Sequence, residues 1–349
     1  MAYTGINKSS EHFETLIYSG NASNPRTLSG LDFQPDWVWL KNRTDSNGHT
    51  LADSIRGSNV SISSDSTAAE VTNKSDGHLD AFTSNGFTVG AGGDGDARIN
   101  DDSHTYVAWN WKAGGSASNN TDGNTTTSVS VNQDAGFSIM KYAGDGNDST
   151  IGHGLGAKPE YIIFKETDGA ESWRVHSIYT PNNASNTLAL NLADAAFSQS
   201  NWISAISNTT ISIGTDSSFN TDGNNYIAYA FAPKQGYSKF GSYVGNGNVS
   251  GSYIHLGFKP AWVMVKKTTA ANNWVMMDNK RDPFNMMTEY LLANDNTAEG
   301  TGLNFDFLSN GFKLKSASGG TNTSGATYIY MAFAENPLVT STGVPATAR

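Results

Sequence analysis

The chain contains no cysteine. That excludes disulfides, thiolate metal ligands and cysteine nucleophiles, and it leaves folding indifferent to redox compartment. Charge is also scarce. Charged residues make up 15% of the 349, against about 25% in an ordinary soluble domain. What charge there is leans acidic, 22 Lys+Arg against 32 Asp+Glu, a formal −10. Nucleic acid is therefore disfavoured as a partner, because phosphate contacts need a basic footprint. No apolar run approaches the ~20 residues of a membrane helix, so no membrane insertion is expected. Residues 1–8 hold no apolar stretch, so no secretory leader is expected either. What is abundant is Gly and Asn, 36 of each, beside many Ser and Thr. Aromatics still reach 11%, with 8 Trp, 14 Tyr and 16 Phe. A disordered chain would lack those anchors, and a coiled coil would have an Ala/Glu/Lys/Leu/Arg-rich composition instead.

One pattern occurs three times. Gly30-Leu-Asp-Phe-Gln-Pro-Asp-Trp-Val-Trp-Leu-Lys41 is matched by Gly154-Leu-Gly-Ala-Lys-Pro-Glu-Tyr-Ile-Ile-Phe-Lys165 and by Leu256-Gly-Phe-Lys-Pro-Ala-Trp-Val-Met-Val-Lys266. Pro35, Pro159 and Pro260 stand at offsets of 124 and 101 residues, and Lys41, Lys165 and Lys266 keep those offsets. A closing element, Tyr106-Val-Ala-Trp-Asn-Trp, Tyr226-Ile-Ala-Tyr-Ala-Phe and Tyr328-Ile-Tyr-Met-Ala-Phe, follows each copy, and an opening element holding Tyr18, Tyr142 or Tyr243 precedes it. Copies one and three share Phe82-Thr-Ser-Asn-Gly-Phe87 and Phe307-Leu-Ser-Asn-Gly-Phe312. In copy two that element is degenerate, near Ile211-Ser-Ile-Gly214.

These elements read as strands. The Pro-led runs are short, β-branched and aromatic, and proline suits a strand's first position. The closing runs alternate large and small side chains, as a strand with one heavy face does. Asn85-Gly86 and Asn310-Gly311 are hairpin signals. Weak helical patterns occur only at 191–197 and 278–294. The expected fold is all-β, with three tandem antiparallel β-sandwich (jelly-roll-like) repeats of about 100 residues. The boundaries are 1–112, a Gly/Ser/Asn-rich linker 113–128, then 129–234, 235–336 and an extended tail 337–349. Three such copies suggest a pseudo-threefold axis within one chain, or a homotrimer around a true one.

The Gly-Phe-x-Pro-x-Trp-Val-x-Val-Lys strand, the Phe-x-Ser-Asn-Gly-Phe hairpin and the Tyr-Ile-Tyr-Met-Ala-Phe-Ala-Glu ending, with Ala108-Trp-Asn-Trp-Lys-Ala-Gly-Gly115, resemble an uncharacterised family of structural proteins of tailed phages, marine and cyanobacterial ones especially. The resemblance spans essentially the whole chain. It implies a non-enzymatic virion protein, made in the host cytoplasm and carried on the particle surface. The expected role is that of a tail-fibre or appendage component in assembly or host adhesion, with capsid decoration or a head fibre as the alternative. The partners it implies are other virion proteins and a host surface glycan or receptor. It carries over no catalytic residue.

The residues supply little chemistry of their own. The seven His form no zinc pattern, no Gly-x-Ser-x-Gly elbow is present, and no carboxylate pair has a distinguishing spacing. Asp94 and Asp96, and Asp145 and Asp148, gather oxygen ligands in Gly-rich turns. Calcium is the only cofactor they would suit, and a plain solvated Asp/Gly turn is the favoured reading over it. Trp37 with Trp262, and Trp173 with Trp274, occupy matching positions and read as core. Trp39 and Trp202 have no matching Trp. They are the candidates for stacking on a partner or sugar, which leaves a lectin-like carbohydrate-binding module as a further reading. Lys41, Lys165 and Lys266 read as solvent-facing or edge charges that block strand-to-strand aggregation.

Overall fold

The computed structural model describes residues 4–72, 77–90 and 98–336. The chain is nearly all β, in antiparallel sheets. A four-stranded arrangement of the same order occurs three times. In the first unit it runs Phe13–Ser19, Thr105–Trp111, Trp37–Asn42, Thr50–Asp53. In the second it runs Phe137–Ala143, Asn225–Phe231, Tyr161–Glu166, Arg174–Ser177. In the third it runs Ser238–Val244, Thr327–Asn336, Lys259–Lys267, Val275–Asp278. The register agrees as well: Trp37 faces Trp111, Tyr161 faces Phe231, and Trp262 faces Phe333.

Each four-stranded layer carries an outer layer of three strands. These are Arg26–Ser29, Gly86–Val89 and Leu79–Thr83; then Ser149–Gly152, Thr210–Ile213 and Ile203–Ile206; then Tyr253–His255, Gly311–Leu314 and Gly300–Leu308. The Pro-led strand thus has both faces covered, and every residue of Trp37–Asn42 and Tyr161–Glu166 is buried. One face, with Val38 and Leu40 or Ile162 and Phe164, packs into the unit's own sandwich core. The other face, with Trp37 and Trp39, Tyr161 and Ile163, or Trp262 and Met264, enters one cluster common to all three units. Trp37 stacks on Tyr229 at 4.3 Å, Phe13 on Phe333 at 5.2 Å, and Phe231 meets Phe333 edge-on at 5.9 Å. The aromatics therefore do not form three separate cores. The inner faces are too apolar to be left in water, so the units bury them against one another.

Three local expectations differ from the structure. The presumed linker 113–128 is partly ordered: Ser118–Asn120 pairs with Thr127–Asn132 and extends the second unit's sheet. The weak helical pattern at 278–294 ends in a strand, Met287–Leu292, and the only α-helix among the described residues is Ser217–Asn220. Each Asn-Gly hairpin turns one residue earlier than its signal. Thr83 pairs with Gly86 and Leu308 with Gly311, so Ser84-Asn85 and Ser309-Asn310 make the turns. The glycine sits inside the next strand because a Cβ there would collide with the carbonyl oxygen of Leu28 or Ile254. The tail 337–349 lies outside the described residues.

Candidate functional site

The charged and hydrogen-bonding side chains of the interior converge on the seams between units. In the first unit Arg56 Nε donates to Asp53 Oδ2 at 2.6 Å; in the third Arg281 Nε donates to Asp278 Oδ2 at 2.5 Å, and both pairs are buried. Each carboxylate receives another donor from across a seam. Tyr229 Oη donates to Asp53 Oδ2 at 2.8 Å, and Trp109 Nε1 donates to Asp278 Oδ2 at 3.0 Å. Trp109, Tyr229 and Met331 share one register position, opposite Trp39, Ile163 and Met264. Asp53, Ser177 and Asp278 share another, opposite Trp37, Tyr161 and Trp262. Where the donor position holds Met331, the acceptor position of the next unit round holds Ser177. Charge and donor are absent together, as they must be where an unpaired buried carboxylate costs several kcal/mol.

Two further bonds recur at every seam. Trp173 Nε1 donates to the Ser63 carbonyl at 2.9 Å, Trp274 Nε1 to that of Ala189 at 2.9 Å, and His49 Nε2 to that of Leu292 at 2.9 Å. The backbone N–H groups of Glu70, Ala196 and Glu299 donate to the carbonyls of Thr167, Thr268 and Arg43, each at 2.9 Å. The first set links unit two to one, three to two and one to three; the second closes the same three seams. His49 stands where the other units have tryptophan. Its Nδ1 accepts from Trp39 Nε1 at 2.8 Å, which fixes the neutral Nε2–H form, and burial holds its pKa down at about 4.

The three repeated lysines are not edge charges. Lys41, Lys165 and Lys266 lie on a central strand and are fully buried. Each stem runs along the inner face and brings Nζ to main-chain carbonyls at the strand's end. Lys41 donates to Asn42 at 2.6 Å, Lys165 to Glu166 at 2.5 Å and Gly169 at 3.1 Å, and Lys266 to Asn272 and, across a seam, to Ala193 at 2.7 Å. Burial pushes the first two amines down to about 8 and Lys266 to about 7.

The residues singled out for binding sit elsewhere than expected. Trp39 is 1% exposed, on the inner face of a doubly covered strand, so it offers no stacking surface. Trp202 is 4% exposed and packs against Phe164 and Phe219 in the second unit's sandwich core. Asp94 and Asp96 lie outside the described residues. Asp145 Oδ1 accepts the Asn147 N–H at 2.9 Å, and Asn21 and Asn246 do the same in the other units, to Ser23 at 3.1 Å and Asn248 at 3.0 Å. A neutral amide fills this role twice, so turn geometry is sufficient to account for Asp145. Asp148 is exposed beside that turn. Each turn is clamped by a buried asparagine, Asn100, Asn220 or Asn322, whose amide takes the backbone of the turn from both sides. Neither these clamps nor the Asp-Arg pairs were picked out from sequence. The signal was there: Asp53-x-x-Arg56 and Asp278-x-x-Arg281 stand 225 residues apart, as do Pro35 and Pro260.

One surface cleft of about 520 Å³ opens in the outer layer of the second unit. Asp148, Thr150, Asn201, Ser204 and Ser212 line it, and Trp202 forms part of its wall. The cleft lies on the outside of the ring, in the sandwich that is particular to one unit.

Fold and seams together define a class: an all-β protein of stacked antiparallel sheets, closed cyclically by buried polar bonds around a shared aromatic core. Residues 8–337 match a domain of unknown function, DUF7483, and the chain belongs to that family. No curated protein and no solved structure matches it.

Proposed function

We propose that the chain is a non-enzymatic structural protein of a phage particle's surface, a tail-fibre or appendage component that serves assembly or host adhesion. One observation carries the non-catalytic part of this reading. The buried Asp-Arg pairs and the ring N–H groups of Trp173, Trp274 and His49 are committed to bonds within and between units, where they hold the ring closed. The phage placement rests on the sequence resemblance. The cyclic arrangement favours a second placement, as a decoration seated on a threefold position of a capsid, where one chain with three similar units presents three similar faces.

Imaging of intact particles carrying a label on this protein tests both. Label on the tail or its appendages supports the first placement, and label spread over the head supports the second. Label absent from purified particles of a phage that encodes the chain sinks the virion reading.

A further inference from the structure

The cleft beside Trp202 has the chemistry of a sugar site. Its lining holds five hydroxyl residues (Thr150, Ser204 and Ser212 among them), three side-chain amides (Asn124, Gln199, Asn201) and a single exposed carboxylate (Asp148), with no lysine, arginine or histidine. A wall of that kind offers nothing to neutralise a phosphate, a sulfate or a carboxylate ligand. Its apolar surface is confined to Trp202 and a few small or β-branched neighbours, too little to hold a lipid or a hydrophobic peptide. What it does offer is several short donors and acceptors, which is how the hydroxyls of a polyhydroxylated ring are bonded at its edge, with the largely buried Trp202 closing the wall behind them. The volume, about 520 Å³, is within the range of small-ligand pockets.

Trp202 Nε1 is buried and makes no hydrogen bond within the described residues, as is also true of Trp37, Trp111 and Trp262 in the shared core, but of these four only Trp202 lines the cleft. Such a group costs about 1–3 kcal/mol unless something accepts from it. The position is also the one where the three units diverge. The carbonyls of His78, Trp202 and Asn304 accept from the backbone N–H groups of Gly90, Gly214 and Lys315 respectively, so the three residues occupy one structural place. Only the second unit puts an aromatic indole there, and His78 is instead paired with Asp80.

We infer that this cleft binds one or two units of a neutral glycan. The inference rests on the adhesion reading above and names the ligand class for it. The test uses the full chain and a panel of neutral mono- and disaccharides of glucose, galactose, mannose and N-acetylglucosamine, with sulfated and phosphorylated counterparts. The readout is the indole N–H resonance of Trp202, assigned with Trp202→Phe. At least one neutral sugar is expected to shift that resonance saturably below about 10 mM. Ser204→Trp, which fills the cleft from an exposed position, is expected to weaken that binding at least about tenfold with the unfolding midpoint unchanged. No shift by any neutral sugar, equal binding by Ser204→Trp, or stronger binding of the anionic counterparts overturns the inference. The result separates from that of particle imaging: labelled particles without sugar binding remove the glycan site alone, and sugar binding by a chain absent from particles removes the virion role alone.

Discussion

Lys41, Lys165 and Lys266 show how little a residue type says without its surroundings. All three end a strand and all three looked like solubility charges, yet each is sunk beside a β-ladder with main-chain carbonyl oxygens as its hydrogen-bond acceptors. Their depressed pKa values have a definite sign. In the unfolded chain a lysine holds its proton up to about 10.4. In the folded chain these amines release it near 8, 8 and 7. The unfolded state therefore binds more protons between roughly pH 7 and 10.4, and stability rises with pH across that window. Carbon-13 NMR of the lysine ε-carbons should show three resonances titrating two or more units below the rest, and Lys266→Met should flatten the slope of the urea midpoint in that window. His49 works on the acid side. Its folded pKa of about 4 lies below the usual value of 6.5, so its contribution is complete above pH 6.5 and is lost as pH falls toward 4. At Asp145 the neutral counterparts Asn21 and Asn246 set the expectation. Asp145→Asn should change stability by less than about 1 kcal/mol, and added calcium should not move the melting temperature.

At the scale of the element, the recurring hairpin and the clamped turn carry the most specific demands. Gly86→Ala or Gly311→Ala should cost about 2–4 kcal/mol, because the new methyl meets a backbone oxygen that belongs to a paired strand and cannot swing aside. Asn322→Ala should cost a similar amount, since it strips partners from Asn246, Asn248 and Ser316 at once. Denaturant unfolding of each variant measures these values. The strands themselves were legible: the Pro-led runs, the closing Tyr-x-Ala runs and the Phe-x-Ser-Asn-Gly-Phe hairpins all form, and Ile211-Ser-Ile-Gly214 supplies the degenerate third hairpin with Ile211 facing Ile206. The face each strand shows was not legible. A run buried on both sides has no polar alternation to betray which residues look toward the unit's own core and which toward its neighbours. For that reason Trp39 passed for a surface aromatic and the lysines for edge charges. Trp202 was singled out as exposed and is buried, because a missing counterpart says that a position differs without saying where its side chain points.

At the scale of the whole molecule, the shared aromatic cluster makes the three units one cooperative body. The inner face of the second unit, with Phe137, Tyr229 and Phe231, is covered by the other two. Residues 113–234 produced alone should therefore self-associate or precipitate, whereas the full chain should unfold in a single transition; light scattering and calorimetry check the two outcomes. Arg56→Met and Arg281→Met should each cost about 3–5 kcal/mol by stranding a buried carboxylate, and Thr180→Met, at the corresponding position of the uncharged unit, should cost distinctly less. Parallel melts of the three variants would show the difference. The closed ring has a further consequence. In a trimer of identical chains any substitution is made three times, and a new binding site comes with three copies and the avidity they bring. Here a substitution is made once. His49 can replace a tryptophan at one seam, and an indole-walled cleft can open in one unit, while the other two stay as they were. The molecule gains freedom to differentiate its faces and gives up multivalency within itself, so tight attachment through any one cleft would have to come from many copies displayed side by side.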